Sequence, residues 1–354
     1  MRVVIPTLFL PAMLAGGVLV SQRTTDVGTP SAEAMTVAAP VTAADTVPIT
    51  QWVVPWERSR PRDPYADPTS NRIWFVGQVG NYLAWLDPAT GKFGQRELPA
   101  KALPHNLIVD ADGTVWYAGN GDSHIGHYDP KTDRLTRIAM PDSSARDPHT
   151  LVFGPNGTIW FTSQGANVVG RLTKATRKVE LVHVPTPRAR PYGIVVDSKG
   201  RPWFNEFGTN RIGTIDPSTM ALREYTLPEA GARTRRLVVT SDDMVWFVDY
   251  ARGKVGRLDP ASGKVTEWAL PGGEKSQPYG MALDDRGMIW MVESGVQPNR
   301  LVGFDPRAER VFSVTAIPNA GPNNNSVRHI HFDARTGSLW FGTDAGTIAR
   351  AKVR

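Results

Sequence analysis

The chain has 354 residues, with 40 Lys and Arg against 34 Asp and Glu, a formal charge of +6, 41% hydrophobic residues, 33 glycines, 29 prolines and no cysteine. The lack of cysteine excludes disulfides, thiolate metal sites, cysteine nucleophiles and a lipid-modified cysteine anchor, and leaves stability to packing. The basic residues are scattered, without a run dense enough for a nucleic-acid surface, so they read as a solvated exterior and no nucleic-acid partner is expected.

Arg2 precedes an apolar run from Val3 to Val20, broken by Pro6, Pro11 and Gly16-Gly17. This reads as an export signal with Ala32-Glu33-Ala34 as a small-x-small cleavage site. A retained anchor is the alternative, since about 18 apolar residues just reach across a bilayer. Residues 1–34 are therefore the expected signal peptide or anchor, the only expected membrane contact, and the mature protein is expected in the periplasm or outside the cell. Residues 35–48, Ala-, Thr-, Val- and Pro-rich without periodicity, are the expected flexible linker.

From residue 49 to 354 the sequence repeats. Trp74, Trp116, Trp160, Trp203, Trp246, Trp290 and Trp340 follow one another at steps of 42, 44, 43, 43, 44 and 50 residues. A period in the low forties made of short strand-like pieces predicts an all-β fold, a seven-bladed β-propeller of four-stranded antiparallel blades forming one domain. Ile49 to Pro55 has the pattern of a blade's last strand but precedes the first tryptophan, whereas the last repeat stops after Thr347–Val353 without that strand. The strand near Gln51–Val54 is therefore predicted to complete the last blade and close the ring.

Spacing within the repeats is nearly fixed. Pro104, Pro148, Pro191, Thr234, Pro278 and Arg328 lie 12 residues before their tryptophans, and Pro64 lies 10 before Trp74. Asp87, Asp129, Asp216 and Asp259 follow theirs by 13 and open Asp-Pro turns, while Asp110-Ala-Asp-Gly113 lacks the downstream Glu of a calcium loop; both read as turn chemistry. The tryptophans read as packing between blades.

Function is expected where the copies differ on one face, at the entry to each first strand and in the loop after each second strand. The entry pairs are Pro64-Tyr65, Pro104-His105, Pro148-His149, Pro191-Tyr192, Arg235-Arg236, Pro278-Tyr279 and Arg328-His329, with His331 deeper on the last strand; the loops add Gln164, Glu206, Asp249, Glu293 and Asp344. Imidazoles, phenols, carboxylates and guanidiniums around one channel form a candidate site for a small-molecule or peptide-like ligand. His105, Tyr192, Tyr279, Glu206 and Glu293 are its expected ligand-binding residues, in a protein expected to be monomeric.

With Arg190-Pro-Tyr-Gly-Ile194, Trp203-Phe-Asn-Glu206, Asn210-Arg-Ile-Gly213 and Glu224-Tyr-Thr-Leu-Pro228 in place, the chain resembles the virginiamycin B lyase (streptogramin lyase) family over residues 49–354. The resemblance implies opening of a cyclic depsipeptide by elimination: a histidine base removes the proton α to a carbonyl, the ester oxygen leaves, and Mg2+ held by two glutamates steadies the enolate. The family's contact histidine, its Glu-Pro-His and its second glutamate fall here on Tyr279, Val327-Arg328-His329 and Asp344. Shifted to blades two and three, the same pattern falls on His105, Asp147-Pro148-His149 and Gln164. The resemblance thus implies His149 and His329 as candidate bases and Asp147, Gln164 and Asp344 as candidate magnesium ligands. A lactonase-like hydrolase, or a propeller that binds a small molecule, glycan or protein without turnover, remains the alternative.

Overall fold

Each repeat folds as a four-stranded antiparallel meander, and the reason lies in the Trp-aromatic pair of its second strand. Consecutive residues of a strand face opposite sides of the sheet. The tryptophan therefore packs on the following blade while the residue after it packs on the preceding one. Trp74 meets Tyr117, Trp116 meets Phe161, Trp160 meets Phe204, Trp203 meets Phe247, Trp246 meets Met291, Trp290 meets Phe341 and Trp340 meets Phe75, one cluster at each interface of the ring. Six of the seven indoles are less than 2% exposed. A side chain of this size buries about 150–250 Å², worth up to roughly 4–6 kcal/mol at about 25 cal/mol per Å². Three of the indole N–H groups donate to the aspartate of the turn just before them, Trp74 to Asp67, Trp203 to Asp197 and Trp290 to Asp284.

The computed structural model describes residues 45–142, 145–318 and 326–354. The expected signal and residues 35–44 of the expected linker lie outside them. The last four residues of that linker differ from expectation: Asp45 bonds through its backbone to Phe312 and Val314 on the outer strand of the sixth blade, and the Val47 N–H donates to Thr315. Seven four-stranded sheets follow, with inner strands Pro61–Ala66, Pro104–Val109, Pro148–Phe153, Pro191–Val196, Thr234–Val239, Pro278–Leu283 and His331–Asp333. These inner strands pack on one another around the channel. The predicted closure is present: Ile49–Val53 pairs antiparallel with Thr347–Lys352, Ile49 opposite Ala351 and Val53 opposite Thr347, and Trp52 stacks on Trp340 at 5.6 Å.

The glycine of the Asn-x-Ile-Gly phrase has a packing reason. Tyr117, Phe161, Phe204 and Phe247 sit directly across from Gly126, Gly170, Gly213 and Gly256, and each ring lies over its glycine where a Cβ would stand. The asparagine of that phrase staples the blade's outer strand, Asn81 donating to Leu98 and Pro99, Asn167 to Val184 and Thr186, and Asn210 to Leu227.

Two entries need correction. Pro104, Pro148, Pro191, Thr234 and Pro278 each pair with the residue three past their tryptophan, and in the first and last blades that partner belongs to Pro61 and Val327. The turn between first and second strands is one residue longer there, Tyr65 to Trp74 and His331 to Trp340 against Ile108 to Trp116. The entry residues are therefore Arg62 and Arg328, and Tyr65 and His329 each sit deeper on their strands than expected.

Gly213→Val forces a branched side chain into the Phe204 ring and is expected to destabilise the protein by about 1–3 kcal/mol, read as a lower midpoint of denaturant unfolding. The same substitution at Gly263, whose surroundings are open but whose φ is +75, tests backbone strain alone and is expected to cost less.

Candidate active site at the channel mouth

With the register corrected, the entry ring reads Arg62, His105, His149, Tyr192, Arg235, Tyr279 and Arg328, and its members lie against one another. The His105 and His149 rings are 3.7 Å apart between centroids, His149 and Tyr192 4.2 Å, and the Tyr192 and Tyr279 hydroxyls are hydrogen-bonded. The Arg235 guanidinium is enclosed by four aromatic rings, 4.0 Å from Phe207, 4.1 Å from Tyr250, 4.3 Å from Tyr279 and 5.3 Å from Tyr192. Such cation–ring contacts strengthen on desolvation.

One position deeper, Asp63, Asn106, Thr150, Arg236 and His329 fill the channel. Asp63 accepts from Asn106 at 2.9 Å, and Arg236 reaches across to the Thr150 hydroxyl and the Arg328 carbonyl, both at 3.2 Å, with Asp63 3.7 Å away. Tyr65 stacks on His331 at 3.9 Å. Arg62 Nε and Nη2, Arg235 Nε and Arg236 Nη2 are buried without a hydrogen-bond acceptor. Guanidiniums thus dominate the charge at the mouth.

Burial, with the arginines adding to it, holds His105 and His149 well below the ordinary imidazole range, so both are neutral bases near pH 7. Burial likewise lowers His329 to about 4, against the pull of Asp63, and His331 to about 3. Burial, with the neighbouring Tyr279 adding to it, pushes the Tyr192 phenol up to about 12 against the pull of Arg236, Arg62 and Arg235. Tyr279 moves the other way: burial raises it, but Arg235, Arg62, Arg236 and Arg328 together outweigh burial and bring it down to about 8.

A polar cavity of about 270 Å³ opens beside Tyr279, lined also by Tyr250, Gln277, Ser294, Ser326 and Arg328. Of the expected ligand-binding, base and magnesium residues, Tyr279 alone lines this cavity, beside Arg328 of the last entry pair. His105 and His149 come together with Tyr192 but lie away from it; His105 Nδ1 is 3.0 Å from the His149 carbonyl, and His149 Nδ1 is 2.9 Å from the Thr150 hydroxyl. Tyr250, Gln277 and Ser294 went unnoticed in the sequence because they stand outside the entry pairs.

The carboxylates are engaged elsewhere. Asp147 sits at φ 51, a left-handed position that Asp tolerates, and accepts the Gly165 and Ala166 N–H groups at 2.7 and 3.2 Å. Asp344 pairs with Arg328 at 2.5 Å and lies 3.8 Å from Arg60. Glu293 accepts the Gly272 N–H at 2.6 Å and pairs with Arg300 at 2.6 Å. Glu206 accepts from Thr209, and burial together with Glu224 raises it to about 8. Glu206 and Glu293 therefore serve loops and strand edges rather than the cavity. Gln164 is partly buried in the loop that Asp147 holds. Among the described residues no three His, Asp or Glu side chains gather as a metal ion requires, and Asp147, Gln164 and Asp344 do not fit a magnesium site.

A model of the virginiamycin B lyase family matches residues 39–301. Among solved structures, virginiamycin B lyase from Staphylococcus aureus superposes with a TM-score of 0.77 at 23% identity, covering 87% of this chain and 99% of that one. A catalytically inactive histidine-to-alanine variant of that enzyme, with quinupristin, gives 0.76 at 23% over 87% and 99%. A streptogramin B lyase structure gives 0.76 at 25% over 86% and 96%. No curated protein sequence matches the chain.

The neutral channel histidines make a pH prediction. An unfolded chain protonates histidine near 6.5, whereas the folded channel resists it, so this contribution is complete above pH 6.5 and is lost as the pH falls below it. Each histidine then removes up to about 1.4 kcal/mol per pH unit. Melting temperature is expected to fall between pH 6.5 and 5, and the His105→Asn/His149→Asn double variant is expected to flatten that slope; an unchanged slope would show that these side chains are not held neutral.

Proposed function

Since the chain belongs to the virginiamycin B lyase family, we propose that it is an exported member that binds a small ester-containing ligand at the channel mouth and opens it by carbon–oxygen elimination. The observation that carries this reading is the place of the cavity, at the entry of the sixth and seventh blades, where the family resemblance puts substrate contact. Tyr279 there takes the role of base. Its oxygen accepts the proton α to the carbonyl, the C–H pair becomes the new double bond, and the C–O pair leaves on the carboxylate. A phenol brought to about 8 is partly ionised near neutral pH and suits that task. The enolate faces Arg328 and the field of Arg235, which supply fixed positive charge where charge develops. No step is assigned to magnesium, because Asp147 is bound to backbone N–H groups and Asp344 to Arg328.

A reading without turnover, in which the propeller only binds, is favoured by one feature: the channel below the cavity is filled by Arg236 and its partners.

Purified protein is expected to linearise a streptogramin B or a simpler lactone, with undiminished rate in the presence of chelator. Tyr279→Phe is expected to lower kcat by about 10²–10⁴ with the fold retained, and His149→Ala to change it by only a few fold. Saturable binding with no product supports the binding propeller, and full activity in Tyr279→Phe removes the assignment of the base.

A further inference from the structure

We infer that the channel mouth is a carboxylate-binding site, in which Arg328 holds the anion and Tyr279 takes up the proton that accompanies its binding. The inference rests on the preceding choice of site but not on turnover.

Three observations support it. The charged groups facing Tyr279 are Arg60, Arg62, Arg235, Arg236 and Arg328, against Asp63 beneath Arg62 and Arg236 and Asp344 beside Arg328. Five guanidiniums opposed by two carboxylates leave an excess of three positive charges, and buried donors on Arg62, Arg235 and Arg236 have no acceptor. Arg62 and Arg236 share the single carboxylate of Asp63, at 3.8 and 3.7 Å; buried cationic charge in excess of its carboxylates is costly, and an anion at the mouth offsets that cost.

The second observation concerns Arg328. Its Nε and Nη2 already donate to Asp344, at 3.2 and 2.5 Å, which orients the guanidinium and cancels part of its charge. Its remaining edge faces the Tyr279 oxygen, so a singly charged planar acceptor such as a carboxylate meets the guanidinium and that phenol together. The third is the cavity itself, whose lining of Tyr279, Tyr250, Gln277, Ser294 and Ser326 supplies hydroxyl and amide groups for the rest of the ligand.

An anion on Arg328 cancels part of the field that keeps Tyr279 acidic, so the phenol recovers a proton from solvent as the anion binds. The two other phenols in contact with Arg235 are engaged by other partners, Tyr192 with Tyr279 and Arg235 and Tyr250 with Gln277.

The test is a phenolate-absorbance titration of the whole protein, with acetate as the probe. In its absence one tyrosine is expected to titrate near pH 8, and Tyr279→Phe is expected to abolish that transition. Saturating acetate is expected to move it up by about one unit, a tenfold change in the phenol's acidity, while acetamide, of the same shape but neutral, leaves it in place. Arg328→Gln is expected to remove the acetate response. If that variant does not fold, the comparison of acetate with acetamide on the wild type decides alone. A transition that survives Tyr279→Phe, an equal response to acetamide, or an acetate response that persists in folded Arg328→Gln overturns the inference. An intact acetate response in a protein that turns over no ester upholds it and rejects the lyase reading instead.

Discussion

The structure depends on the interlock of each Trp with the residue that follows its counterpart in the next blade. Because neighbours on a strand face opposite ways, one dipeptide binds a blade to both of its neighbours, and seven copies close into a ring only if every interface is made. The glycine opposite each aromatic in the second to fifth blades leaves room for the ring, and the N-terminal strand supplies the fourth strand of the last blade. A ring held in this way fixes seven strand entries around one channel, and that gives the site its geometry.

What the ring presents is mainly guanidinium and phenol. Arg235 is inserted among four aromatic rings, Arg236 spans the channel, and Arg328 is oriented by Asp344. The phenol of Tyr279 lies where these fields meet and borders the cavity, whereas the histidines are stacked on one another with at least one ring nitrogen engaged in the case of His105 and His149. The family fold is thus retained around a mouth whose positive charge is carried by side chains.

Blade number, strand order and closure were legible in the sequence because a tryptophan period and a misplaced terminal strand are one-dimensional signals. The entry ring was legible only in part. In the first blade, Pro64 at 10 residues before Trp74 where other copies show 12 was the sign of a shifted register, and the longer turn in the first and last blades hid Arg62 and moved His329 off the ring. Glu206, Glu293, Asp147 and Asp344 have the residue types of a metal site, but their roles are set by loop N–H groups, by arginines and, for Glu206, by the Thr209 hydroxyl. The cage around Arg235 joins Tyr192, Phe207, Tyr250 and Tyr279, which no spacing in the sequence brings together.

A crystal structure of the protein with a bound carboxylate ligand tests the central claim most directly. The account predicts a carboxylate oxygen within hydrogen-bond distance of both Arg328 and Tyr279, with Asp147 still bonded to the Gly165 and Ala166 N–H groups. A ligand or metal ion held between His105 and His149, with Asp147 turned toward it, would contradict the account.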